Sequence, residues 1–361
     1  MTIVFRTDSS LQIGSGHVMR CLTFADELSL RGAEVIFACR KHVGHLIGLI
    51  EDKGYPVVHL QQPQAEYVTT PEDVAHAAWL GVSWQQDAAD TIAALGEMPP
   101  EWLIIDHYAI DSRWEETLRP YVGKIMVIDD LADRFHDSDL LLDQNLYQEM
   151  ERRYDNLVPG DCRQLLGPRY ALLRPEFTAA RKCLRHRSGE IKRVLVFFGG
   201  VDPTNETVKA LQALASISDR ELEIDVVVGG GNLYKDQIQN FCAVHDGFHY
   251  YCQVDNMAEL MAFADLAIGA GGTATWERCV VGLPALVVSV AENQKDIASY
   301  ADKVGVLSYL GESSKLIAGE LLRSITGILS AEKLVSAMSK KALHLVDGDG
   351  ARRVTDKMER Q

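Results

Sequence analysis

The stretch FRTDSSLQIGSGHVMR, residues 5–20, decides the fold of this chain. An apolar run from Ile3 leads into it and predicts a first strand, a glycine loop follows, and a helix begins near His17. In an open α/β sheet the ligand binds outside the carboxyl ends of the strands, where such a loop lies. The substrate-binding candidates in this stretch are Gly14, Gly16 and Arg20.

His17 is the candidate catalytic base. A helix start supplies free N–H groups and the positive end of the helix dipole, which disfavours an imidazolium, so we expect a neutral ring that can accept a proton. The local pattern fits equally well a histidine that caps the helix or binds a phosphate. A nicotinamide fingerprint does not fit, because Met19 stands where its third glycine belongs and the second strand ends in Cys39-Arg40 rather than in an acid.

Length and composition indicate a globular protein of two domains. The chain has 361 residues, of which 47% are hydrophobic and 24% charged. Its net charge of -15 argues against a nucleic-acid or anionic-membrane partner, which basic patches would attract. The seven cysteines form no C-x-x-C pair, no apolar run reaches the length of a membrane span, and the chain begins directly with a strand. We expect a reduced, cytoplasmic protein.

Strand and helix patterns alternate in both halves of the chain, which predicts two doubly wound, Rossmann-like α/β domains facing across a cleft. We expect the first domain, with the catalytic histidine, over residues 1–150, a connection over 151–190 and a nucleotide-binding domain over 191–345. Residues 346–361 are predicted to form a final helix that packs back on the first domain. The polar stretch 61–86 is predicted to be either partly helical or a loop over the site.

The strongest local signal in the second half is IGAGGTATWERCVVGLPALVV, residues 268–288. Glycines at Gly271 and Gly272 let a backbone approach a pyrophosphate, and Thr273 can cap the following helix or donate a hydroxyl to a phosphate. Glu277, one turn further on, can accept hydrogen bonds from ribose hydroxyls. The alternative is an ordinary tight turn between strand and helix with a solvated glutamate.

Other candidate residues lie at the ends of predicted strands. A second glycine turn follows RVLVF, and an amide pair opens a helix after the strand at 284–290. An Asp-His-Tyr triplet ends a strand of the first half and is either site-facing or part of a satisfied polar network. The acidic strand ends Asp129-Asp130 and Asp143 to Asn145 lack companions at metal-ligand spacing, so we predict no metal. The candidates are Gly199, Gly200, Asn293, Gln294, Asp106, His107 and Tyr108.

Six segments resemble one known family and occur in its order over nearly the whole length. The chain resembles the PseG family, the UDP-2,4-diacetamido-2,4,6-trideoxy-β-L-altropyranose hydrolases of pseudaminic acid biosynthesis, which are themselves similar to the GT-B glycosyltransferase MurG. The segments are FRTDSSLQIGSGHVMR, IIDHYAID, VIDDLADRFHDSDLLLDQN, LLGPRYALLRPEF, VFFGGVDPTN and GAGGTATWERCVVGLPAL.

The resemblance implies a GT-B fold with a UDP site in the C-terminal half and the sugar towards the N-terminal half. It implies hydrolysis at the anomeric carbon without a metal or cofactor, with His17 handling the attacking water and Gly271 to Thr273 and Glu277 binding the nucleotide. Asn256 and Met257 fall where this fold contacts the uracil or the sugar. Two alternatives stay open: a GT-B glycosyltransferase that uses a UDP-amino sugar, and a nucleotide-sugar binding protein without catalysis.

Overall fold

The computed structural model describes residues 1–63, 67–96, 99–218 and 220–360. The chain divides into two compact units. Unit 1 consists of residues 1–145, 149–172 and 349–361, and unit 2 consists of residues 146–148 and 173–348.

Unit 1 is built on a parallel sheet. In the described residues its strands run in the order β3-β2-β1-β4-β5-β6-β7, so the strand order reverses between β1 and β4. The strands are β1 (Thr2–Thr7), β2 (Glu34–Arg40), β3 (Val57–Leu60), β4 (Trp102–Asp106), β5 (Lys124–Ile128), β6 (Leu140–Asp143) and β7 (Arg163–Leu166).

Helices cover both faces of this sheet, which is why its strands are almost continuously apolar. Ile3 and Phe5 of β1 face a core that includes α1, whereas Val4 faces a second core with Trp114 and Leu118 of α4. The helices of unit 1 are α1 (Gly16–Leu30), α2 (Ile47–Asp52), α3 (Trp84–Leu95), α4 (Ser112–Leu118) and, at the end of the chain, α13 (Gly350–Met358).

Unit 2 repeats the same architecture. Its described strands form a parallel sheet in the order β10-β9-β8-β11-β12-β13, which reverses between β8 and β11. The strands are β8 (Arg193–Phe197), β9 (Glu223–Val228), β10 (Phe248–Cys252), β11 (Leu266–Ala270), β12 (Ala285–Ser289) and β13 (Ser308–Glu312). The helices are α5 (Pro175–Lys182), α6 (Glu206–Ala215), α7 (Lys235–Ala243), α8 (Met257–Phe263), α9 (Ala274–Val280), α10 (Lys295–Val304), α11 (Ala318–Leu329) and α12 (Glu332–Leu345).

The segment 151–190, expected as a connection, is divided between the two units. Its residues up to 172 belong to unit 1 and those from 173 to unit 2. Strand β7 pairs in parallel with β6 inside this segment, and α5 follows it. The sequence RQLL of β7 carries two polar residues and no apolar run, so its strand pairing is set by the neighbouring β6 rather than by its own pattern.

The final helix, α13, lies in unit 1. Val354 and Met358 are buried in the core beside α1, and Arg31 at the end of α1 pairs with Asp356 at 2.7 Å. In the stretch 61–86, a 3₁₀ turn spans Ala77–Leu80. Residues 64–66 of that stretch and residue 361 of the final segment lie outside the described residues.

None of the helices in the described part of the chain is both long enough and apolar enough to cross a membrane.

Candidate functional site

The reversal of strand order in unit 1 brings two distant parts of the sequence together. Strands β1 and β4 are parallel neighbours, with Thr7 opposite Asp106 at their carboxyl ends. The chain leaves β1 through the glycine loop and enters α1 at Gly16, with Gly14 in a left-handed conformation (φ 79°) that favours glycine. The first turn of α1 therefore meets the end of β4 where ligands bind in open α/β sheets.

His17 and Asp106 form a hydrogen-bonded pair at this point. His17 Nδ1 lies 2.5 Å from Asp106 Oδ1. The histidine side chain is 8% exposed and that of the aspartate is fully buried. Because a carboxylate can only accept, Nδ1 carries a proton, and in this tautomer Nε2 is the ring nitrogen that can accept one. This is the arrangement that a general base requires.

Arg20 binds the same carboxylate from the next turn of α1. Its Nε lies 2.5 Å from Asp106 Oδ2, and its Nη2 lies 2.6 Å from Asp106 Oδ1. Burial alone would raise the pKa of Asp106, but the charge and hydrogen bonds of Arg20, together with His17, hold it well below its usual range. Asp106 therefore stays ionised and keeps the imidazole in one tautomer and orientation.

Aromatic side chains surround His17. The Tyr108 ring meets the imidazole edge-on at 4.5 Å between centroids, and its hydroxyl donates to Asp130 at 2.5 Å. Trp79, from the 3₁₀ turn, stacks on Tyr108 at 5.7 Å, and His76 packs against both rings. Burial beside Asp130 raises the pKa of Tyr108 well above its ordinary value, so its phenol stays protonated as a donor. The sequence patterns did not indicate His76, and they included Trp79 only as part of the stretch 61–86.

His107 lies away from this group, contrary to the expectation that it binds substrate beside Asp106. Its ring is buried, Nδ1 accepts a bond from the Ala109 amide at 3.1 Å, and Nε2 lies 3.4 Å from Asp8 Oδ2. Burial lowers the pKa of His107 despite Asp8. Consecutive residues at a strand end point to opposite sides, so Asp106 and His107 cannot both face the same crevice.

A buried ion-pair network lies next to His107, and the sequence analysis missed it. Asp87 of α3 accepts bonds from Arg6 Nη2 at 2.7 Å, Arg40 Nη2 at 2.8 Å and Trp114 Nε1 at 3.0 Å. Arg6 Nη1 also lies 2.8 Å from Asp8 Oδ1. The network joins α3 to the ends of β1 and β2. The sequence feature that could have revealed it is the arginine inside the apolar run TIVFRT, because a buried arginine needs an acidic partner.

The acidic strand ends of β5 and β6 also lie together. Asp130 Oδ2 accepts bonds from Arg20 at 3.3 Å and from Asn145 at 3.0 Å. Burial close to Asp130 raises the pKa of Asp143 to about 8. Among the described residues, no group of three or more His, Cys, Asp or Glu is arranged to hold a metal ion.

In unit 2, the two glycine turns also follow neighbouring strands. Strands β8 and β11 are parallel, with Phe197 opposite Gly269, so the turn after β8 lies beside the Gly271-Gly272 turn. Gly272 is left-handed (φ 84°). The hydroxyl of Thr273 does not cap α9, and this side chain is exposed. The main-chain groups of this turn are therefore not occupied by a capping side chain.

In the turn after β8, which contains the candidates Gly199 and Gly200, an acidic side chain caps the following helix. Asp202 accepts hydrogen bonds from the Glu206 amide at 3.0 Å and from the Thr207 amide at 2.8 Å. A buried carboxylate therefore already occupies the start of α6, beyond Gly199 and Gly200, and would repel a phosphate.

The remaining candidates lie around the Gly271 turn and at the start of α8. Glu277 is 15% exposed and lies 3.4 Å from Arg174 Nη2, and burial raises its pKa despite that arginine. The Gln294 side chain packs on Gly271, where an added side-chain carbon would lie 3.2 Å from its Cβ. The other three are Asn293, exposed in the loop after β12, Asn256, exposed at the start of α8, and Met257, buried in its first turn.

Comparison with known proteins shows which family and which solved structures this architecture is similar to. Residues 193–354 match the family described as the glycosyltransferase family 28 C-terminal domain. The structure of MurG from Acinetobacter baumannii is similar over 100% of this chain and 99% of that chain, with a TM-score of 0.69 and 13% sequence identity. This likeness confirms the predicted fold of GT-B type with two Rossmann-like parallel-sheet domains.

Two relatives of known sequence span most of the chain. It is 28% identical over 306 residues to the UDP-2,4-diacetamido-2,4,6-trideoxy-β-L-altropyranose hydrolase of Campylobacter jejuni, covering 84% of this chain and 97% of that protein. It is also 28% identical over 304 residues to the uncharacterized protein MJ1062 of Methanocaldococcus jannaschii, covering 82% of this chain but 57% of that protein. These matches confirm the resemblance that the six sequence segments indicated.

Proposed function

We propose that this chain is a nucleotide-sugar hydrolase that cleaves UDP-2,4-diacetamido-2,4,6-trideoxy-β-L-altropyranose into UDP and the free sugar. The observation that carries the proposal is the His17–Asp106 pair, in which a buried carboxylate holds Nδ1 at 2.5 Å and leaves Nε2 to accept a proton. A protein that only binds a nucleotide sugar has no need of such a base. The similarity to the Campylobacter jejuni hydrolase supports the same substrate and reaction.

In the proposed reaction, a water molecule attacks the anomeric carbon while His17 Nε2 takes one of its protons. A C–O bond forms from the water oxygen, and the bond between the anomeric carbon and the β-phosphate oxygen breaks. Its electron pair leaves with UDP. Diphosphate is a good leaving group, so the protein needs to position the water, stabilise an oxocarbenium-like centre and hold the departing charge.

Asp106 and Arg20 support the base. Proton transfer to His17 creates an imidazolium, which Asp106 stabilises through Nδ1. Arg20 keeps that carboxylate ionised by two bonds of 2.5 and 2.6 Å, so Asp106 does not take the proton itself.

The aromatic group around His17 supports an acylated deoxy sugar as substrate. Trp79 and Tyr108 stack at 5.7 Å, and Trp79 remains partly exposed. Such rings bind apolar groups such as the methyl groups of acetamido and 6-deoxy substituents, and they exclude water. In unit 2, we assign the nucleotide to the Gly271-Gly272-Thr273 turn and Glu277.

A glycosyltransferase using a UDP-amino sugar is the second candidate, and the match of residues 193–354 to glycosyltransferase family 28 favours it. The two differ in what attacks the anomeric carbon, a hydroxyl of an acceptor or water.

The experiment is to measure UDP release from the UDP-linked diacetamido sugar in ¹⁸O-water, with EDTA and without acceptor. Rapid release with label in the sugar supports metal-independent hydrolysis at carbon. Label in UDP would mean P–O cleavage and would contradict the mechanism. Turnover only after an acceptor is added would make the chain a transferase, and binding without turnover under either condition would contradict catalysis altogether.

A further inference from the structure

Arg278 is a buried arginine at the carboxyl edge of the second sheet. Only 3% of its surface is exposed. A side-chain carbon added to Gly269 would lie 3.3 Å from Arg278 Nη1 and 2.1 Å from the Phe197 carbonyl oxygen. The guanidinium therefore lies at the ends of β8 and β11, directly beneath the Gly269–Gly272 turn.

Its hydrogen bonds leave most of the guanidinium without a partner. Nη2 donates to the Ala270 carbonyl at 2.8 Å and to Thr275 Oγ1 at 3.2 Å. In the part of the chain that the structure describes, Nε and Nη1 have no acceptor and no carboxylate forms an ion pair with this arginine. The adjacent Glu277 pairs with Arg174 instead.

A positive charge in this position is energetically unfavourable without a counter-ion. Burial lowers the pKa of Arg278 to about 10, which still leaves the guanidinium positive near neutral pH. Moving an ion out of water costs several kcal/mol even after relaxation, unless it is paired or fully hydrogen-bonded. The folded chain supplies only the two bonds of Nη2, which leaves Nε and Nη1 to water or to a bound anion.

Arg187, in the same unit, is a buried arginine whose hydrogen bonds are satisfied within the protein. All three of its side-chain nitrogens donate to carbonyl oxygens: Nε to Ala264, Nη1 to Val281 and Gly282, and Nη2 to Met261 and Ala262. These carbonyls lie at the ends of α8 and α9, where the helix dipoles are negative. Burial lowers the pKa of Arg187 to about 10 as well, so the two arginines differ in their partners rather than in their burial.

We propose that Arg278 is a positioning residue for the diphosphate of the nucleotide: an anionic phosphate bound at the Gly269–Gly272 turn balances its charge, and its bond to the Ala270 carbonyl holds that turn in place. This inference rests on the proposed function in taking UDP as the nucleotide. It adds a residue outside the glycine turn to the nucleotide site and makes phosphate, rather than the uridine part, the group that Arg278 recognises.

The test is to measure dissociation constants of uridine, UMP and UDP for the wild type and for Arg278→Met, Arg278→Lys and Arg187→Met. In Arg278→Met we expect UDP affinity to fall by roughly 10- to 100-fold, while uridine affinity changes by less than about threefold. Arg278→Lys, which keeps the charge, should recover part of the loss. Added salt should weaken UDP binding more steeply in the wild type than in Arg278→Met.

Arg187→Met is the matched control, because it also removes a buried arginine that has no ion pair with a carboxylate among the described residues. It should lower the melting temperature but leave the ratio of UDP to uridine affinity unchanged. A wild-type ratio in Arg278→Met, or an equal change of the ratio in Arg187→Met, would overturn the proposal. If Arg278→Met does not fold, the ratio of UDP to uridine affinity is compared between Arg278→Lys and the wild type instead.

Inorganic pyrophosphate separates this inference from the proposed function. A wild type that binds neither uridine nor UDP contradicts the proposed substrate. Pyrophosphate should then still raise the melting temperature of the wild type but not that of Arg278→Met, with a smaller rise for Arg278→Lys. No pyrophosphate effect on the wild type, or the same effect on all variants, would contradict the role of Arg278.

Discussion

His17 Nδ1 lies 2.5 Å from Asp106 Oδ1, although 89 positions separate the two residues in the chain. The contact exists because β1 and β4 are neighbours in the sheet, which places the start of α1 against the end of β4. A histidine at a glycine loop becomes an oriented base only through this aspartate.

Replacing His17 tests the base directly. We expect His17→Ala to lower kcat for UDP-sugar hydrolysis by ~10²–10⁴-fold, because a positioned base contributes about that factor. UDP affinity should not change, since we assign the nucleotide to unit 2. Steady-state kinetics and UDP titration measure both. His59→Ala, which removes a partly exposed histidine paired with Glu51, is the control and should keep full activity. An unchanged rate in His17→Ala would reject the assignment.

Replacing Asp106 tests the tautomer. In Asp106→Asn the amide no longer fixes the Nδ1 proton or stabilises the imidazolium, so kcat should fall by ~10²–10⁴-fold with UDP affinity unchanged. Asp87→Asn is a matched control, because Asp87 is an equally buried acid that binds two arginines away from His17. It should lower the melting temperature without a comparable loss of kcat. Similar kcat losses in both variants would point to a structural role for Asp106.

Replacing Trp79 tests recognition of the sugar. Because the exposed part of the ring would lose contact with the acyl and deoxy groups, Trp79→Ala should raise KM for the diacetamido substrate by roughly 10-fold, with inhibition by UDP unchanged. Trp84→Ala is the control, since its ring faces Arg113 at 5.4 Å instead of His17. An unaltered KM in Trp79→Ala, or an equal rise in Trp84→Ala, would contradict the assignment.

Replacing Asp143 tests a pH dependence of stability. Burial raises the pKa of Asp143 from 3.8 to about 8, so the folded chain keeps a proton that the unfolded chain releases. Its contribution to stability is full below pH ~4 and is lost as the pH rises through about 8. Asp143→Asn does not titrate, so relative to the wild type it should gain ~1–3 kcal/mol between pH ~5 and ~9.

Thermal unfolding of the wild type and Asp143→Asn at several pH values measures this gain. Asp155→Asn, which neutralises an exposed acid, should show no such trend. A difference between Asp143→Asn and the wild type that stays constant with pH would show that Asp143 titrates normally.

Local patterns were sufficient to predict much of the fold. Parallel strands buried on both faces are apolar runs, as in β1 and β4, and glycine turns followed by helices mark their carboxyl ends. Strand β7 escaped prediction because its sequence is half polar and only pairing with β6 makes it a strand. The hydrogen bonds of Asp202 to the amides at the start of α6 were not predicted, because the pattern Asp-Pro-Thr does not show them.

The sequence by itself determined two alternating α/β halves, the residues at their strand ends and a resemblance that covers nearly the whole chain. The tertiary structure decided which strand ends are neighbours. It thereby paired His17 with Asp106, moved His107 into a separate network, brought Trp79 to the base and placed Arg278 beneath the glycine turn. Periodicity depends on residues a few positions apart, whereas strand order and buried ion pairs depend on residues far apart in the chain, as for His17 and Asp106, which are 89 positions apart.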